Sequence, residues 1–249
     1  MKQRPCVATP LVFAAAFVAS PALGGCQPEA HDPVSPGQNG SLAAAIQAAH
    51  QRMHVRFGAA LRIEQAIAHS DLDRAHAEAH GLAALDEPEA LPAWRPYFEA
   101  IRDAARQVEL AGGVIGAAQL TATLGRRCAR CHEAGAAHIT FPAEPPPTGD
   151  PKLAIQMVGH QWAAAQMWQG LIGPSDARWL AGARALTAAP LNIVAQSVTP
   201  ASELDVDDVA RIRLYANRAA TTMSQDARAD VFGTLLATCA HCHAVLRDR

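Results

Sequence analysis

Lysine is almost missing from this chain: Lys2 and Lys152 are the two it has. A lysine-rich docking face is therefore excluded, and any partner surface has to be built from arginine, acids or apolar groups. Aromatic residues are 5% of the 249, and β-branched residues are few beside abundant alanine. That balance leaves little material for sheets and favours helix, so the expected fold class is all-α. Strong positive charge is missing as well. The 21 basic residues face 23 acidic ones, and loss of Lys2 and Arg4 with an export signal would leave the mature chain mildly acidic. Nucleic acid is thereby excluded as an expected partner.

What stands at the N-terminus reads as targeting. Lys2 and Arg4 supply a basic start, and Leu11 to Ala22 is an uncharged apolar run too short for a comfortable membrane span. It runs into Leu23-Gly24-Gly25-Cys26, which resembles the lipobox of bacterial lipoproteins; an ordinary signal peptide cut nearby is the alternative. On the first reading residues 1–25 are a signal peptide, Cys26 is lipidated, and 26–41 is a polar tether from a membrane anchor. Gln27 after that cysteine suits the outer membrane of a Gram-negative cell by analogy, and the expected location is the periplasm.

Of the six cysteines, Cys6 leaves with the signal and Cys26 is the lipid site. The other four form two CxxCH units, Cys128-Ala129-Arg130-Cys131-His132 and Cys239-Ala240-His241-Cys242-His243. None is left for a long-range disulfide. In an exported chain, haem attachment accounts for four cysteines kept in this spacing. Two intervening residues let one helical turn present both sulfurs to the edge of one haem, and the adjoining histidine reaches the iron. The rivals are zinc, whose ribbons bring CxxC pairs closer together, and a dithiol redox pair, which belongs to an α/β unit absent from this pattern. The expected cofactors are two haem c groups, with His132 and His243 as proximal ligands.

The sequence before each motif repeats. At one constant offset Phe57 aligns with Trp162, Ile63 with Trp168, Ile67 with Ile172, and Ser70-Asp71 with Ser175-Asp176, as a tandem duplication would leave them. Each repeat reads as four helices ending at its motif. The first has Leu42 to Ala68 with an apolar stripe at Ile46, His50, Met53, Phe57, Ala60 and Ile67, then a helix capped by Asp71, then Trp94 to Leu110 beyond Pro88 and Pro92, and a last helix after Gly112-Gly113. The second has about Leu153 to Ile172, Asp176 to Ala188, Val206 to Thr222 and Ala227 to Leu246. The expected organisation is a haem domain over 42–137, a proline-rich linker over 138–151 and a second haem domain over 152–249.

A motif that closes its unit means that the bundle is built first and takes haem on its last helix. This resembles the cytochrome c-prime family and its low-spin relatives, four-helix bundles with CxxCH on the fourth helix, over 42–136 and 152–248. The resemblance implies two tandem four-helix bundles, each with a C-terminal CxxCH haem site. It also implies a basic residue four after the haem histidine: Arg247 suits this, with Leu246 where an aromatic is usual, whereas the first repeat departs with Gly135-Ala136. The residue over the distal haem face would come from the first helix, ahead of a large aromatic that Phe57 and Trp162 resemble. The candidates are then His50, Met53 and His54 in the first repeat and Met157 and His160 in the second, where Ile155 stands at the position of His50. The two haems are expected to differ, the first six-coordinate and the second more open. Trp94, Tyr97, Phe98, Trp168 and Trp179 are expected to pack the core or the haem.

The expected function is a dihaem electron carrier that passes single electrons between redox partner proteins. A gas-binding or sensing protein with one five-coordinate haem is the alternative. A peroxidase-like enzyme would need a distal acid/base set that the sequence does not identify.

Overall fold

In a computed structural model of the chain, the described residues are 36–87, 92–148, 153–188 and 203–247. Every regular element among them is helical: α1 (Pro36–Ala68), α2 (Leu72–Ala84), a single 3-10 turn (Pro92–Trp94), α3 (Arg95–Glu109), α4 (Val114–Ala134), α5 (Leu153–Ile172), α6 (Asp176–Ala188), α7 (Glu203–Thr221) and α8 (Gln225–Arg247). The signal, Cys26 and most of the tether lie outside the described residues, as do the side chains of Ile155, Leu246 and Arg247. Ile46 to Arg249 gather into one compact unit.

Local chemistry accounts for the helix ends. The Asp71 carboxylate accepts the Arg74 N–H at 3.0 Å and so caps α2, satisfying a donor that the first turn leaves unpaired. Pro96 sits in the first turn of α3, where its missing N–H costs nothing. Gly113, extended in backbone, opens α4. α1 starts at Pro36, ahead of the Leu42 expected from its apolar spacing.

Apolar faces then decide the packing. On α3, Phe98, Ile101, Ala104, Ala105 and Val108 fall on one stripe and all are buried. α3 lies against α2 and α4, α6 against α5 and α7, and α8 against α7. α4 packs extensively along α8, so the two motif-bearing helices are neighbours, and α5 touches both of them. Arg126 donates to Asp226 at 2.7 Å and Gln119 to the Thr234 hydroxyl at 3.2 Å across that seam.

Trp168 and Trp179 are fully buried. Trp168 stacks on Phe232 with ring centroids 5.4 Å apart. A Cβ on Gly125 would come within 2.6 Å of its ring, so α4 approaches α5 where the side chain is absent. The Trp179 indole N–H donates to the Ala219 carbonyl at 2.8 Å. Trp94, expected in a core, is 40% exposed instead, because it sits in the short turn ahead of α3. The proline-rich linker is tied down: Arg178 donates to the Phe141 and Pro142 carbonyls, Trp162 donates to the Glu144 carbonyl, and Phe141 packs on Phe57.

Candidate functional site

Both CxxCH units lie near the C-terminal ends of long helices, the first on α4 and the second on α8. The helical turn sets each pair of thiols on neighbouring positions of one side. The four cysteines are unbonded to one another. Burial pushes the thiols of Cys128 and Cys239 up to about 12, so both stay protonated near neutral pH. That is the reverse of the lowered thiol needed by a dithiol redox pair. Among the described residues no group of three or more His, Cys, Asp and Glu side chains could hold a bare metal ion.

At the second motif the surroundings form a cavity of about 650 Å³, in the range of cavities that hold cofactors. Cys239, Cys242 and His243 line it from α8, and Met157 and His160 from α5. His160 is largely buried, and its Nε2 has no hydrogen-bond partner. Burial lowers its pKa to about 4, which keeps the imidazole neutral. An orphaned neutral ring nitrogen is costly in a mostly apolar cavity unless something there accepts its lone pair. The Nδ1 of His243 also lacks a hydrogen bond. Burial lowers the pKa of that ring, with a smaller push from His69, which stacks on it at 5.1 Å. A backbone hydrogen bond with Ala68 pushes the other way. The His243 ring from α8, the His160 ring from α5 and the thiols of Cys239 and Cys242 share the walls of one cavity, a set that suits a haem held by the two cysteines.

The first motif is built differently. The Nδ1–H of His132 donates to the Ile172 carbonyl at 2.8 Å, which fixes the tautomer and leaves Nε2 free to bind a metal. Burial again lowers the pKa of the imidazole. Arg56, buried on α1, acts on both thiols, Cys128 and Cys131, and partly offsets the upward push of burial. Its guanidinium pairs with Glu87 and lies 4.9 Å from the centre of the Phe98 ring. These residues suit attachment of a haem through Cys128 and Cys131 under His132.

The candidates for the opposite axial position fare unequally. His50 and His54 are exposed, and Met53 is half-buried. Of the expected stripe on their helix Ala60 and Ile67 are buried, and Arg56, Ala59, Ile63 and Glu64 are buried beside them. Met157 and His160, by contrast, both reach the cavity of the second motif.

Sequence reasoning missed the contribution of α1 to that same cavity. Glu64, Ala68 and His69 line it, although they belong to the first repeat. Glu64 is 5% exposed, and burial alone raises its pKa to about 7. Its signal was present: Arg56, Ala60 and Glu64 follow one another at helical spacing on the face that also carries Ile63 and Ile67. The His69 ring is exposed and stacked on His243. His241, between the two cysteines of the second motif, is half-buried with Nε2 4.0 Å from Asp208. Comparison with family models, with curated proteins and with solved structures found no match to this chain.

Proposed function

We propose that this chain is a dihaem c-type cytochrome that carries single electrons between redox proteins. One haem is joined to Cys128 and Cys131 under His132, and the other to Cys239 and Cys242 under His243. Helices α1–α4 and α5–α8 are then two tandem four-helix bundles, each closed by its haem helix. The observation that carries the reading is the second cavity, lined both by a CxxCH unit and by a half-buried imidazole whose buried Nε2 has no partner among the described residues.

When bound, each haem supplies an iron that takes up and gives back one electron. The protein's residues do the rest. Four thiols tether the macrocycles, so the cofactors stay with the chain through every turnover. His132, with Nδ1 committed to the Ile172 carbonyl, offers Nε2 in one orientation. In the second site His160 is the residue proposed for the sixth position, with Met157 as its neighbour, which reverses the order expected from the first helices. Apolar walls exclude water and so limit the rearrangement that accompanies a change of charge.

In this reading the chain works in the periplasm, held to a membrane by lipid on Cys26. No helix among the described residues is long and apolar enough to cross a membrane. Redox partners would dock on arginine, acidic or apolar patches, and the function is electron carriage rather than enzymatic conversion. The test is the intact mass after export through a haem-attaching pathway, with a pyridine haemochrome count. The expected mass is the polypeptide plus two haems, and the mass of bare polypeptide would overturn the reading.

A second reading concerns the first site alone. Exposure of His50 and His54 favours a five-coordinate first haem that binds a small gas. Titrating the reduced protein with carbon monoxide separates the two: a shift in half of the haem absorbance supports gas binding at one site, and no shift supports electron carriage by both.

A further inference from the structure

Helix α1 passes both sites, and it brings each a different buried charge. Arg56 and Glu64 stand two turns apart, about 12 Å along the axis, on one inward face. At the same constant offset that aligns the repeats, their counterparts on α5 are Gln161 and Gln169, so both charges belong to the first repeat alone.

The buried charge that reaches the first motif is a cation. Arg56 is 8% exposed and pairs with Glu87, which also takes Arg52 at 2.9 Å. Arg56 acts on both Cys128 and Cys131. The buried charges that reach the second motif are acids. Among the described residues Glu64 makes no hydrogen bond or ion pair, and it lines the cavity with Cys239, Cys242 and His243. Asp208 on α7, 2% exposed, acts with Glu64 on Cys239. Arg211, largely in solvent, stands 3.8 Å from its carboxylate and His241 4.0 Å. The other titratable groups on the cavity wall are His69, Asp71 and His160.

A haem gains one negative charge on reduction. A buried cation beside it favours the reduced form and a buried anion the oxidised form, and the effect is larger away from water, where screening is weak. We propose that Arg56 and Glu64 hold the two haems at different reduction potentials, the first above the second, so that an electron on the chain settles on the first haem. This rests on the dihaem reading. The exchange is balanced within the chain: the ferrous second haem gives one electron to the ferric first, leaving the second ferric and the first ferrous, with no bond made or broken.

The test is a spectroelectrochemical titration of the haem-loaded full chain at pH 8.5, where Glu64 is charged, with each sample first counted for haem. The parent is expected to give two one-electron waves separated by at least tenfold in the exchange constant, about 59 mV for one electron. Glu64→Gln should raise the lower wave and leave the upper in place, and Glu64→Asp should keep the parent pattern. Arg56→Gln should lower the upper wave alone, with Arg56→Lys restoring it. Glu64→Gln removes an unpaired buried charge at constant shape, so it keeps the fold and carries the test by itself if Arg56→Gln loads haem poorly. Two haems with coincident waves, or waves that move together in Glu64→Gln, would overturn the proposal. A count below two haems would instead overturn the reading beneath it.

Discussion

The two CxxCH sites share five-residue motifs of the same pattern, placed alike near the ends of long helices, yet they differ in almost everything that surrounds them. His132 donates to the Ile172 carbonyl, whereas His243, which has a backbone hydrogen bond with Ala68, also stacks on the imidazole of His69. A buried arginine attends the first pair of thiols and a buried glutamate the second. The difference arises because each histidine is met by the other repeat. His132 finds the last carbonyl of α5, and His243 finds the residue after α1. The motif specifies attachment chemistry. The environment is set by the partner half, whose residues differ.

That comparison can be broken most forcefully by removing one attachment at a time. Cys239→Ala with Cys242→Ala and Cys128→Ala with Cys131→Ala should each cost one haem by intact mass. The second-site variant should also lose more stability, by about 3 kcal/mol or more, because it leaves the apolar cavity unfilled. Equal losses on thermal unfolding would show the sites to be equivalent after all.

Glu64→Gln comes next. A carboxyl raised from 4.5 to about 7 binds its proton more tightly in the folded chain than in the unfolded one. Stability of the parent should therefore fall as pH rises from 4.5 to 7, by about 3 kcal/mol in all, and stay low above that. Glu64→Gln should lack this slope and be the more stable protein above pH 7. Denaturant unfolding at pH 4.5 and pH 8 reads the difference, and parallel behaviour of the two proteins would contradict it. Gln169, the counterpart in the second repeat, already carries the amide.

Gly182→Ala sharpens the contrast within the repeats. An added Cβ would meet the Ala163 carbonyl at 2.4 Å and the Met167 nitrogen at 2.9 Å, both on rigid backbone, so a cost of about 2 kcal/mol is expected. Its counterpart Ala77 is exposed, and Ala77→Gly should cost only about 1 kcal/mol, through helix propensity. The smallest effect concerns the caps. Asp71→Ala should cost about 1 kcal/mol, and Ser175→Ala less, since its hydroxyl meets the Arg178 N–H at 3.4 Å. Urea midpoints of the four variants test the ranking.

Helix positions were legible in the sequence because local signals set them. Asp71, Gly112-Gly113 and the prolines ahead of α3 punctuate apolar spacing that needs no distant partner, and α5 and α6 match their expected limits at Leu153–Ile172 and Asp176–Ala188. The motif residues were legible for the same reason. The cavity walls were not, since they depend on α4 lying along α8, a contact between segments far apart in sequence. The inward face of α1 was legible at Ala60 and Ile67 but not at His50, which is exposed, nor at Met53, which is half-buried. An apolar stripe passes over charged residues, and here Arg56 and Glu64 are the ones that turn inward.

The crossing of the two halves also bears on how the chain could be cut. Halves that each close on themselves can be separated and keep their shape. Here the wall of the second cavity includes the tail of the opening helix of the first half, and the carbonyl that meets His132 ends the opening helix of the second. Severing the chain between them would leave each half with an incomplete site.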